Sequence, residues 1–269
     1  MIPIEQIDWN EVWNRQLAQV SGMHDTKERW DLYAPIFNHF TNSENFSIQL
    51  LPYFDITPGD SVLDIGCGTG GLTIPIARKA SRVTALDLSP EMLKLLQENA
   101  QLSGIRNLAG ICHPWESVKD HDIPVHDVVI ASRSLGMENI GIQVLKMYRH
   151  AKKRVYLVWR AGMRSFDAAI HEAIGREYHE YPGYDILFNI LHSFGFFPTV
   201  RVFRTTSRLT YPDLSAAQDH WRWKLDPLSP DEEVGISKYL RLNLEKARSG
   251  QHETRDLPSI WVLMELKKE

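Results

Sequence analysis

Residues 62–71 read V-L-D-I-G-C-G-T-G-G. Gly66, Gly68, Gly70 and Gly71 crowd this short stretch, directly after an apolar run that carries one acid, Asp64. Glycine has no Cβ and adopts positive φ freely, so such a loop lets another group approach the backbone closely. Between a parallel strand and a helix it lies where ligands bind, and the first N–H groups of the helix are free to meet an anion. Gly66, Gly68 and Gly71 also satisfy G-x-G-x-x-G, the dinucleotide pattern, so the loop alone leaves the ligand open. Two acids narrow the choice. Asp64 would repel a pyrophosphate and suits a ligand with an ammonium group. Asp87 ends the next apolar run and can accept hydrogen bonds from both hydroxyls of a ribose. Asp87 fits NAD or any other adenosine ligand; Asp64 favours one with an amino-acid head.

The elements that must hold these residues follow from apolar periodicity. It predicts strands over 61–65, 82–87, 108–113, 126–132 and 154–159, with helices over 71–79, 90–102 and 142–151. Ser89 and Pro90 provide an N-cap and first helical residue for the second of these helices. Apolar strands alternating with helices imply an α/β fold, doubly wound and Rossmann-like, with a mostly parallel sheet. Upstream, residues 1–55 read as a helical lid. Helices are expected over 9–20, over 27–37 with a limit near Pro35, and around 48–54. Residues 56–269 form the main domain, with accessory segments at 160–190 and 206–250. Within that region helices are expected over 168–178 and 186–196, and from Ser229-Pro230 to about 247. Strands are expected over 199–205 and 260–266. W-R-W-K (221–224) reads as an amphipathic packing segment.

V-L-D-I-G-C-G-T-G followed by V-T-A-L-D-L-S-P-E-M-L resembles the class I S-adenosylmethionine-dependent methyltransferases, over about residues 55 to 160. The resemblance implies a seven-stranded sheet whose last strand, 260–266, runs antiparallel. It places the methionine end of S-adenosylmethionine on Asp64, Gly66, Cys67, Gly68, Thr69 and Gly70. It puts the ribose on Asp87 and the adenine near Leu88 and Met92. Family members usually carry an acid for the adenine amino group after the third strand. Here that stretch is C-H-P-W-E (112–116), and Pro114 stands where the acid is expected. Trp115 is then the residue to flank the adenine, and Glu116 the acid to replace the missing one. Ser132, ending the fourth strand, is placed beside the cofactor. Tyr33, on one helical face with Trp30 and Phe37, is a partner for the cofactor's carboxylate or part of a docked apolar face.

Methyl transfer from a sulfonium needs alignment and dryness more than a strong catalytic motif. None is evident, and the catalytic residues stay unassigned. Arg133, leaving the fourth strand, is either a grip for a substrate carboxylate or phosphate or a surface arginine. Tyr181 and Tyr184, in E-Y-H-E-Y-P-G-Y (177–184), are either pocket lining for the acceptor or surface packing. The segment S-R-S-L (132–135) lacks the N-P-P-Y motif of nucleic-acid amino methyltransferases and the acids of aminopropyl transferases. No Pro-Cys pair marks a cytosine C5 enzyme. A net charge of −4 and a pI of about 6.3 argue against a nucleic-acid groove. Two cysteines, Cys67 and Cys112, suit a reducing compartment, and no signal or spanning segment is evident, so a cytoplasmic location is expected. Histidine spacing suggests no metal site. The expected activity is methyl transfer to a small molecule, leaving S-adenosylhomocysteine. The alternatives are an NAD-binding oxidoreductase and a non-catalytic regulator that kept the fold. The oligomeric state is not legible.

Overall fold

A computed structural model describes residues 7–20, 26–43, 46–162, 165–225 and 227–268. The run S-V-L-D-I has no polar face, and it becomes β1 (Ser61–Ile65), buried along its whole length. On one side β1 pairs with β2 (Arg82–Asp87), which pairs with β3 (Leu108–Cys112); on the other it pairs with β4 (His126–Ser132), then β5 (Ala151–Ala161). All four pairings are parallel. The C-terminal β10 (Leu257–Lys267) inserts antiparallel between β5 and β6 (Thr199–Ser207). The order is β3-β2-β1-β4-β5-β10-β6. It reverses direction between β1 and β4, and in open α/β sheets that switch point is where ligands bind.

Alternating residues of the buried strands face two cores. On one face, α1 (Trp9–Gln19), α6 (Ile140–Arg149) and α8 (Tyr184–Ser193) supply Trp13, Val144, Met147, Leu187 and Ile190. On the other, α3 (Phe46–Leu50) and α4 (Thr73–Ala77) supply Phe46, Leu50 and Ile76. Between β2 and β3, α5 (Pro90–Leu102) starts as expected, with the Ser89 side chain accepting from Met92 N–H and Pro90 in the first turn. A third cluster joins α7 (Ser165–Ala173), α9 (Leu214–Leu225) and α10 (Pro230–Asn243). Beside it, β7 (Thr210–Tyr211), β8 (Glu245–Lys246) and β9 (His252–Glu253) form a small antiparallel sheet in the order β7-β9-β8.

Three expectations change. The helix containing Pro35 does not stop there: α2 runs Lys27–Ser43. Pro35 is exposed, so its ring lies on the water-facing side of the helix. The W-R-W-K segment is packing, as read, but it belongs to a full helix, α9, whose Trp221 is completely buried. The 160–190 region also divides, α7 joining the third cluster while α8 packs on the sheet.

The first helix has a second role that its own pattern does not reveal. Asn139 precedes α6 in the left-handed region, φ 51°, and gives no side-chain cap. Capping comes from α1 instead. Asn10 Oδ1 accepts from Gly141 N–H at 3.0 Å, and Asn14 exchanges two 2.9 Å hydrogen bonds with Asn139. Trp13 Nε1 donates to Met137 O at 2.9 Å in the buried interior. Asn10→Ala should therefore cost about 1 kcal/mol of stability, the usual loss of an N-cap, although Asn10 lies in another helix. A urea midpoint unchanged from the parent would refute capping in trans.

Candidate active site

The glycine loop leaves β1 with Gly66, Gly68 and Gly70 at φ 71°, 54° and 92°. At Gly66 an added Cβ would lie 2.3 Å from Ser134 Cβ, and at Gly70 2.3 Å from Leu96 Cδ1. Side chains are therefore excluded twice, by backbone conformation and by close packing. Ser134 Oγ donates to Ile65 O at 2.6 Å, so the segment after β4 is tied to the strand that opens the glycine loop. Gly68 admits an aromatic ring of α2: a Cβ there would lie 2.8 Å from Phe37 Cε1.

Asp64 is 2% exposed and accepts from the Thr73 hydroxyl at 2.6 Å. Burial lifts its pKa to about 6; the Thr73 hydrogen bond opposes this and the Asp87 charge adds to it. Asp87 is also buried. Its Oδ2 accepts from Gly68 N–H at 2.8 Å and its Oδ1 from Ser89 N–H at 3.0 Å. Burial raises the Asp87 pKa against these backbone donors, and Asp31 raises it further. Two buried carboxylates thus bracket one glycine loop. Cys67 is buried with its Sγ 3.6 Å from Gly68 O, and burial pushes its thiol pKa well up, which disfavours the thiolate. Thr69 Oγ1 and Ser132 Oγ are buried side-chain oxygens with no hydrogen-bond partner among the described residues. Orphaned hydroxyls beside a glycine loop suit a polar ligand.

The α2 helix spans this loop. Asp31 accepts from the Ser89 hydroxyl at 2.5 Å and from Glu91 N–H at 3.3 Å. Asn99 Nδ2 donates to both Asn38 Oδ1 and Thr69 O, at 2.8 and 2.9 Å. The opposite side of α2 meets α9. Tyr33 stacks on Trp223 at 3.6 Å between centroids, and Trp223 Nε1 donates to Arg29 O at 2.8 Å. Asp31, Phe37, Asn38 and Ser134 escaped the sequence reading. Only Phe37 gave a signal, through its helical spacing with Trp30 and Tyr33.

A family model described as a methyltransferase domain matches residues 62–154. Among solved structures, a candidate methyltransferase from Bacillus halodurans C-125 shares the fold at TM-score 0.58 and 15% identity, covering 82% of this chain and 98% of that one. Magnesium protoporphyrin IX methyltransferase from Synechocystis PCC 6803, solved with bound S-adenosylhomocysteine, gives TM-score 0.50 and 16% identity, covering 87% and 84%. Residues 62–154 are a methyltransferase domain, set in a Rossmann-like methyltransferase fold. Over almost its whole length this methyltransferase is also similar to an uncharacterised protein of Haemophilus influenzae, 30% identical over 264 residues, 96% of this chain and 97% of the relative.

Other expected site residues of the methyltransferase are placed as follows. Leu88 is half-buried at the end of β2, and Met92 is 2% exposed on α5. Glu116 is exposed. The Trp115 ring, the expected adenine flank, is turned into the core. It is 2% exposed within the α6-side core, and its Nε1 lies 3.4 Å from Gln143 O. An indole this apolar gains more from core burial than from lining an open site. The Tyr33 hydroxyl lies 3.1 Å from His220 Nε2, and His220 Nδ1 lies 2.8 Å from the Tyr211 hydroxyl. Arg133 has φ 63°, unusual for a residue with a Cβ. Its guanidinium lies 4.5 Å from the Phe46 ring centroid and 6.0 Å from that of Phe37. Tyr181 meets Trp159 edge-on at 5.9 Å, and Tyr184 packs beside the same core. Among the described residues, no helix is long and apolar enough to cross a membrane.

Proposed function

We propose that this methyltransferase binds S-adenosylmethionine across the carboxyl ends of β1 and β2 and methylates a small-molecule acceptor. The observation that carries the reading is the pair of buried carboxylates, Asp64 and Asp87, on either side of a glycine loop with three positive φ angles. Asp64 receives the ammonium of the cofactor's amino-acid head. The backbone of Gly66, Cys67, Gly68, Thr69 and Gly70 lies along the methionine end, with the Thr69 and Ser132 hydroxyls as further partners. Asp87 takes the ribose hydroxyls, and Leu88 and Met92 form the apolar floor under the adenine, with Glu116 at its edge. S-adenosylmethionine supplies a methyl group already activated on a sulfonium. The chain aligns the acceptor and excludes water.

The α2 helix acts as the lid in this reading, because it lies against Gly68 through Phe37 and against Ser89 through Asp31. Arg133, at the end of β4, faces the acceptor, with Tyr181 and Tyr184 on the adjoining wall. A chain of net charge −4 suits a small metabolite better than a phosphate backbone. Calorimetric titration with S-adenosylmethionine, S-adenosylhomocysteine and NAD tests the reading. Micromolar binding of the two sulfur ligands without NAD is expected. Binding of NAD alone would assign the loop to a dinucleotide, and no binding of any ligand would leave a fold without its cofactor.

A further inference from the structure

The α6 helix does more than bury an apolar face. Lys146 is buried, and its ammonium donates to the carbonyls of Trp115, Glu116 and Val118, the last two at 3.2 and 3.1 Å. It also lies 4.5 Å from the centroid of the Trp115 ring. Among the described residues its charge is met by carbonyl oxygens and a π face. Hydrogen bonds from a charged donor are about twice as strong as neutral ones, and here three converge on one turn. Gln143 O accepts from the Trp115 indole, and the His150 ring meets that indole edge-on at 5.4 Å. Lys146, Gln143 and His150 therefore hold the 3-10 turn Trp115–Ser117 from one side.

The other end of this segment is tied to the ribose acid. Cys112 is the register partner of Asp87, and His113 N–H donates to Asp87 O at 2.9 Å. Pro114 and Glu116 remain exposed between the two anchors. With the Trp115 ring in the core, this short exposed stretch is what remains to meet the polar edge of the base, and Lys146 is bonded to it from behind. Recognition by so few groups tolerates displacements of only about 0.5 Å.

We propose that Lys146 is a positioning residue for the adenine end of the cofactor site, acting through the 114–117 turn. The inference rests on the S-adenosylmethionine reading above. It is tested by titrating the full-length protein with S-adenosylhomocysteine and with its inosine analogue, in which the 6-amino group is replaced by a carbonyl. The parent protein should prefer the adenine ligand. Lys146→Met leaves three carbonyls without their donor, and should lose about tenfold or more in affinity for S-adenosylhomocysteine and most of the preference for adenine. Lys146→Arg, which keeps charged donors, should recover part of both. Should Lys146→Met fail to fold, Lys146→Gln serves in its place. Ile236→Ala, in the separate α7–α9–α10 cluster, is the control for general destabilisation and should keep the preference. A Lys146→Met or Lys146→Gln protein with the parent's affinity and preference would overturn the proposal, as would a parent protein that binds both ligands equally. A parent protein that binds neither would overturn the cofactor reading itself, before any variant is made.

Discussion

Asp87→Ala should bind S-adenosylhomocysteine more weakly by about 1.5–3 kcal/mol, the range for hydrogen bonds to a charged group. That is a loss of one to two powers of ten in affinity. The carboxylate has two functions that fail together. In the proposed complex it accepts from the ribose, and in the structure it holds the loop through Gly68 N–H at 2.8 Å and the start of α5 through Ser89 N–H at 3.0 Å. Asp87→Asn separates them, because its amide oxygen can still accept one of these N–H groups. It should lie between the parent and Asp87→Ala. The measurement is calorimetric titration at constant pH. Affinity unchanged in Asp87→Ala would remove the ribose assignment.

Asp64→Asn should make the protein more stable at pH 7 while it weakens the cofactor. The Asp64 carboxyl is pushed up to about 6 from 3.8, first by burial and then by the Asp87 charge. A folded-state pKa above the unfolded one means that the folded protein binds more protons between these values. Stability therefore falls as pH rises from about 4 to about 6, and the penalty is fully present at pH 7. At 1.36 kcal/mol per unit the penalty is about 3 kcal/mol. Asparagine keeps an acceptor for the Thr73 hydroxyl and has no charge to desolvate. Urea unfolding should show Asp64→Asn gaining stability over the parent at pH 7, with the gap closing below pH 4. S-adenosylhomocysteine binding should fall in the same variant, since the ligand's ammonium loses its counter-charge. A variant no more stable than the parent at pH 7 would show that the Asp64 charge is solvated or paired in solution. The parent then keeps Asp64 at a cost to folding, as expected where a site is built for a ligand.

The family and the central sheet were legible because their determinants are local. Glycines with positive φ, an acid two residues before them, an N-cap serine followed by proline, and apolar runs of strand length are all read within a few residues. The strand ranges 61–65, 82–87 and 126–132 agree with β1, β2 and β4, and helix 90–102 agrees with α5. The Ser229-Pro230 helix start became a complete capping box, with Glu232 as its third residue. Accuracy fell where partners lie far apart in the chain. α9 was not separated as a helix because its burial depends on α7 and α10. Pro35 looked like a stop because exposure on the outer side of α2 cannot be seen in the sequence.

For the site, the sequence by itself determined which residues could meet a cofactor: Asp64, the glycines and Asp87, each fixed by position on a strand or loop. Only the tertiary structure decided what encloses them. Phe37 reaches Gly68 because α2 docks on α5 through Asp31 and Asn38. Trp115 lies in the core beside Lys146, 31 residues away, which takes its carbonyl oxygen. Asn10 caps a helix 131 residues downstream. A side chain's type restricts what it can bond, but which partner it meets depends on packing among elements that no local pattern encodes. The glycine loop and its two acids were therefore readable in the chain, whereas the roof and walls around them emerged only with the fold.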